Sequence, residues 1–181
     1  MVLFIIIPGI LITIATFPGV IVHEAAHMLF CRWNRLAVFD VKFFQFEDPA
    51  GYVIHEEPTG FNASFLVSMG PFFVNTVLCI LFCTAAFLPV WELGVRDPVP
   101  YFFYWLGLSI GMHAFPSTVD LAHIYRRAPE AARKGNVLAI LSYPLVAVLY
   151  VLNFGRFFWA DLLYGIAVGI LVPLALFRAL V

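Results

Sequence analysis

The sequence predicts an all-α membrane protein with about five transmembrane segments and a small β-hairpin between the first and second. Three observations carry this. First, 63% of the residues are hydrophobic and only 12% are charged, whereas soluble domains sit near 45–50% apolar and about 25% charged. Second, the apolar residues fall into long stretches of roughly the 20 residues needed to cross a bilayer. Third, the gaps between stretches are too short for a folded soluble module. Near-neutral net charge (−1) gives no reason to expect nucleic acid as a partner.

The first apolar segment runs from about Val2 to Arg32. It is longer than a span requires, and Pro8 and Pro18 predict a kink or tilt. It has no basic flank at its start and reads as a retained span rather than a signal peptide. The next segments run from about Phe61 to Leu88 and from Tyr101 to Ile124. The fourth, about Val137 to Leu152, is short and interrupted by Pro144, and the fifth runs from about Leu162 to Leu180. The last two could form an irregular hairpin. We expect a single membrane domain over 1–181, with a three-helix core in 1–124 and accessory segments in 137–181.

Residues 38–55 have a different texture. Val38 to Phe46 is aromatic and β-branched, Glu47-Asp48-Pro49-Ala50-Gly51 is a turn signal, and Tyr52 to His55 reads as a returning strand. Arg32, Arg35, Lys42, Arg126, Arg127, Arg133, Lys134 and Arg178 fall on one side of a five-span topology, and Arg96 and Arg156 on the other. The positive-inside rule then puts the N-terminus outside and the C-terminus in the cytoplasm. Cys31, Cys79 and Cys83 sit in apolar stretches and read as packing residues, not as a disulfide framework.

Inside the first segment stands His23-Glu24-Ala25-Ala26-His27. On a helix, residues four apart share a face, so both imidazoles can hold one Zn²⁺, and the glutamate beside the first can act as general base. Zinc brings the pKa of bound water toward about 7. Ionisable groups at membrane depth are costly and mark function. A catalytic zinc wants a third protein ligand. His27 lies five residues before the basic interface marked by Arg32, and Asp120 six before Arg126, so depth selects Asp120. His113, His123 and Asp161 are its rivals, and His55 reads as a solvated hairpin residue. Two neutral imidazoles, Asp120 and Glu24 also bring a zinc site to neutrality, as a low dielectric favours.

With Gly70-Pro71 followed by Asn75, and Pro116 before Asp120, the set over roughly 17–124 resembles the site-2 protease family of intramembrane zinc metalloproteases. The resemblance is to a distant or minimal member: Asn75 stands one residue further from Gly-Pro than is usual, and Leu121 stands where glycine is usual. It implies Zn²⁺ held by His23, His27 and Asp120, Glu24 as the base, and roles for Asn75 and His113 in binding substrate or its oxyanion. It also implies hydrolysis of peptide bonds in or near transmembrane segments of membrane protein substrates, with the lipid bilayer as the medium and a regulatory partner left open. The competing expectation is a non-proteolytic membrane protein that binds or transports metal through the same His and Asp residues. Glu24 favours hydrolysis, because transport needs no base there.

Overall fold

A computed structural model describes residues 9–155 and 159–180. The expected first span is two helices, α1 (Gly9–Ala15) and α2 (Phe17–Trp33). Pro18 has no N–H for the Ile14 carbonyl, so the ladder is interrupted. Thr16 leaves helical geometry there, at φ −117° and ψ 26°. Pro8 lies outside the described residues. At the far end of α2, Arg35 adopts a left-handed φ of 57°. The Leu36 N–H turns back to the Cys31 carbonyl at 2.9 Å, which closes the helix.

An antiparallel hairpin follows, β1 (Val38–Lys42) and β2 (Tyr52–His55), with Val41 opposite Val53 and a bulge between Val38 and Asp40. The first strand was expected to reach Phe46 but stops at Lys42. Phe43 to Phe46 lie outside the ladder: Phe44 turns toward α2, while Phe46 is exposed. The Phe44 ring lies 5.8 Å from Phe17 of α2 and 5.3 Å from Phe46. The Gln45 N–H closes the tip onto the Ala50 carbonyl at 2.7 Å. Beside it, a Cβ on Gly51 would lie 2.7 Å from Cγ of Glu24, so only glycine lets the hairpin settle this close to α2.

The central helix is α3 (Phe61–Phe87), which runs on through a π-helical turn to Glu92. Then come α4 (Pro98–Met112), α5 (Thr118–Arg133), α6 (Val137–Phe154) and α7 (Ala160–Ile166). A second π-helical turn joins α7 to α8 (Val172–Leu180). Among the described residues, three helices are long and apolar enough to cross a membrane: Phe61–Glu92, Val137–Phe154 and Ala160–Ala179. Of the other two expected spans, α2 has 17 residues and α4 has 15.

Two expectations are corrected here. The segment from Tyr101 to Ile124 is not one helix. It breaks over His113–Ser117, because Pro116 lacks an N–H and Ser117 starts a new helix with a capping box to Asp120. The new helix, α5, is amphipathic: Leu121, Ile124 and Ala128 are buried while Arg126 and Glu130 are exposed. Pro144, expected to interrupt the fourth segment, sits inside a continuous α6. Apolar helices tolerate proline where neighbours and small local adjustments satisfy the freed backbone group.

Helix α3 packs against α2, α4 and α5. Small residues set the distances. Gly70 leaves room for the Phe30 ring, and Cβ atoms on Gly107 and Gly111 of α4 would press on the sulfurs of Cys83 (2.6 Å) and Cys79 (2.7 Å). The three cysteines are free and buried, as packing residues should be. Close backbone approach of this kind is the packing that holds apolar helices together where lipid surrounds them.

Candidate metal centre

Helix α2 turns the side chains of His23 and His27 the same way, with ring centroids 4.9 Å apart. Each ring is then fixed from behind. His23 Nδ1 donates to the His113 carbonyl at 2.6 Å, and His27 Nδ1 donates to the Val67 carbonyl at 3.0 Å. A carbonyl only accepts, so each proton sits on Nδ1 and each Nε2 lone pair is left for a ligand. His27 Nε2 lies 3.6 Å from Oδ2 of Asp120. One ligand atom from each of His23, His27 and Asp120 lies within 4.8 Å of the others, a group that could hold a metal ion. Two imidazoles and one carboxylate are the donor set of a catalytic zinc site.

Asp120 reaches this point by a route different from the expected one. It does not come down a continuous span at matching depth. It is the third residue of α5, and the capping box aims it. The Ser117 N–H and hydroxyl both donate to Asp120 Oδ2, at 2.8 and 2.6 Å, and the Asp120 N–H donates to Ser117 Oγ at 3.1 Å. Glu24 is buried on the next position of α2 after His23, with Gly51 of the hairpin against its Cγ.

Asn75 and His113 are both engaged in contacts between helices. Asn75 is fully buried, and its Nδ2 donates to the carbonyls of Gly19 (3.3 Å), Ile110 (3.1 Å) and His113 (3.0 Å). Its two N–H groups are thereby committed to the backbones of α2 and the end of α4. His113 does not stand above Asp120 on one helix face. It lies at the break after α4, where its carbonyl receives His23 and its Nε2 meets Thr16 Oγ1 at 2.9 Å. Both residues shape the centre from outside it. His123 and Asp161 are not in the ligand group: His123 Nδ1 accepts from Arg126 at 2.9 Å, and Asp161 Oδ1 accepts from the Leu162 N–H at 2.9 Å. His55 is half-buried, with Nδ1 donating to the Glu56 carbonyl at 2.7 Å.

A cavity of about 350 Å³ adjoins the group. Val53 and Ile54 of β2, Ser64 and Val67 of α3, and Asp120 and His123 of α5 line it. The Ser64 hydroxyl is buried and has no hydrogen-bond partner among the described residues. On the outer side, Glu57 bridges Arg127 at 2.9 Å and Arg126 at 3.2 Å, and Arg127 also donates to the Thr59 carbonyl at 3.2 Å. The Arg127 guanidinium holds the Glu57 carboxyl below its ordinary range. Exposed pairs of this kind add little stability, but this one ties the linker after the hairpin to the helix that carries Asp120.

Sequence reasoning missed Ser117, although Ser-x-x-Asp ahead of an apolar position is a helix-start signal. Pro71 marks the Val67 carbonyl as lacking a helical donor, but nothing in the sequence says which ring meets that oxygen or the carbonyl of His113. Comparison with protein-family models, with curated proteins and with solved structures finds no match.

Proposed function

We propose that this chain is a membrane-embedded zinc endopeptidase that hydrolyses peptide bonds in or near the transmembrane segments of membrane proteins. The convergence of His23, His27 and Asp120, with Glu24 on the same helix, is the observation that carries the reading. Zinc, when bound, supplies Lewis acidity and makes water a usable nucleophile near neutral pH. The chain's residues do the rest. His23, His27 and Asp120 hold the ion. Glu24 takes a proton from the attacking water as the oxygen–carbon bond forms. It then returns that proton to the leaving amine as the carbon–nitrogen bond breaks. The zinc content of detergent-purified protein tests this directly. We expect approximately one zinc per wild-type chain and near-complete loss in His23→Ala. Wild-type protein that stays metal-free when purified without chelators would sink the proposal.

A helical substrate must unwind before its backbone can reach such a site. An edge strand can then receive it by β-augmentation. Strand β2 is paired on one side by β1 and lines the cavity beside Asp120. Proline at β2 positions whose N–H points away from β1 would remove donors for that pairing. We expect cleavage to fall several-fold with zinc retained. Unchanged turnover across those positions would make the hairpin a passive loop.

The chain is further proposed to be multi-pass, with its N-terminus outside and its basic residues cytoplasmic. The Glu57 clasp supports one part of this, since it brings Arg126 and Arg127 to the linker that follows Arg32, Arg35 and Lys42. In a background without native cysteines, Arg35→Cys and Arg133→Cys should label from the cytoplasmic side. Labelling of both from outside would reverse the topology.

A further inference from the structure

Val67 and Pro71 stand four residues apart inside α3. In an α-helix the carbonyl of residue 67 would accept the N–H of residue 71. Proline has no N–H, and its ring pushes against the carbonyl four residues back. The Val67 carbonyl is therefore deprived of its helical donor. In an apolar medium a carbonyl in that state must find another donor. Here it receives Nδ1 of His27 at 3.0 Å.

The same arrangement recurs at the break after α4. A helix continuing through His113 would pair its carbonyl with the N–H of Ser117. The chain breaks instead, and the two groups part. The His113 carbonyl receives His23 Nδ1 at 2.6 Å, and the Ser117 N–H goes to Asp120 Oδ2 at 2.8 Å. All three side chains of the candidate metal group are thus oriented by main-chain groups that helix interruptions release.

We infer that Pro71 is a metal-positioning residue: by withholding an N–H from the Val67 carbonyl, it reserves that oxygen for His27 and so holds the ring with Nε2 toward the ion. The inference rests on the zinc reading of the site. It explains why a helix breaker stands in the interior of the central helix, one turn from the oxygen that the second histidine uses. Gly70 beside it serves a separate purpose, which is to admit the Phe30 ring.

Pro71→Ala restores the missing donor. The Val67 carbonyl returns to the helical ladder, and His27 keeps at best a shared acceptor. A purely structural proline and a positioning proline then differ in sign. Alanine favours a helix interior over proline, so the metal-free protein should keep or raise its thermal midpoint. Zinc affinity should nevertheless fall by about tenfold or more, the effect typical of losing an outer partner of a ligating histidine. Pro144→Ala in α6 introduces the same chemical change away from the site and serves as the control.

The experiment uses full-length protein in detergent and three measurements: zinc affinity by competition with a chelating dye, the visible spectrum of the Co²⁺-loaded protein, and the midpoint of the metal-free protein. Weakened zinc binding and an altered cobalt spectrum in Pro71→Ala, with the midpoint held and Pro144→Ala like wild type, is the expected result. Zinc affinity equal to wild type in Pro71→Ala overturns the inference alone. So does a fall in the metal-free midpoint that accompanies the loss of zinc. Wild-type protein with no zinc affinity removes the metal centre itself, and this inference with it.

Discussion

Glu24→Gln is expected to lower cleavage of a membrane substrate by about 10²–10⁴-fold, the usual contribution of a positioned general base, while zinc content and fold stay as in wild type. Gln matches the size of Glu and can still accept a hydrogen bond, but it cannot carry a proton from water to the leaving amine. The position favours a clean test. Glu24 is buried at the contact between α2 and the hairpin, and the isosteric amide respects the close approach of Gly51 to Cγ. The assay is turnover of a quenched-fluorescent transmembrane peptide, chosen from a pool as the one that wild type cuts fastest, with metal analysis on the same samples. Undiminished turnover would remove Glu24 from the chemistry. A chain that binds zinc but cuts nothing in the pool, in wild type and variant alike, would favour a metal-carrying protein.

Asp120→Ala is expected to strip most of the zinc from the protein during dialysis against a mild chelator, because two imidazoles alone hold the ion poorly. The graded comparison is Ser117→Ala. That change leaves all three ligands but removes the hydroxyl that donates to Asp120 Oδ2 at 2.6 Å and accepts from the Asp120 N–H. Loss of such an outer-shell partner typically costs 10–100-fold in metal affinity, and loss of the cap itself costs about 1 kcal/mol of helix stability. The expected order of zinc retention is wild type, then Ser117→Ala, then Asp120→Ala. Full retention in Asp120→Ala would mean that another group completes the site, and His123, one turn along α5, is the first to examine.

Much of this site is legible in the sequence because its signals are local. His23 and His27 share a helix face by spacing alone, and Glu24 follows from its place beside the first of them. The hairpin is legible because a turn signal separates two β-rich runs, yet its first strand ends early, and Phe44 beyond it turns toward Phe17. Asp120 was reached from the sequence by a depth argument that the fold does not use. The helix assumed to carry it breaks at 113–117, and a capping box, itself visible as Ser-x-x-Asp, aims the carboxylate instead.

The sequence by itself determined the apolar composition, the placement of the long apolar helices, the His-Glu-x-x-His face and the candidacy of Asp120. The first three rest on composition or on spacing within one segment, and the last on comparing the distance of two segments' residues from their basic flanks. Only the tertiary structure decided that Asn75 binds the backbones of α2 and α4, that the His113 carbonyl and not its ring serves His23, and that the oxygen freed at Pro71 meets His27. The physical reason is that each of these pairs a side chain of one helix with a main-chain carbonyl of another. Pro71 marks the Val67 carbonyl as released, but every residue carries the same carbonyl, so which ring meets which oxygen depends on how α2, α3 and α4 pack.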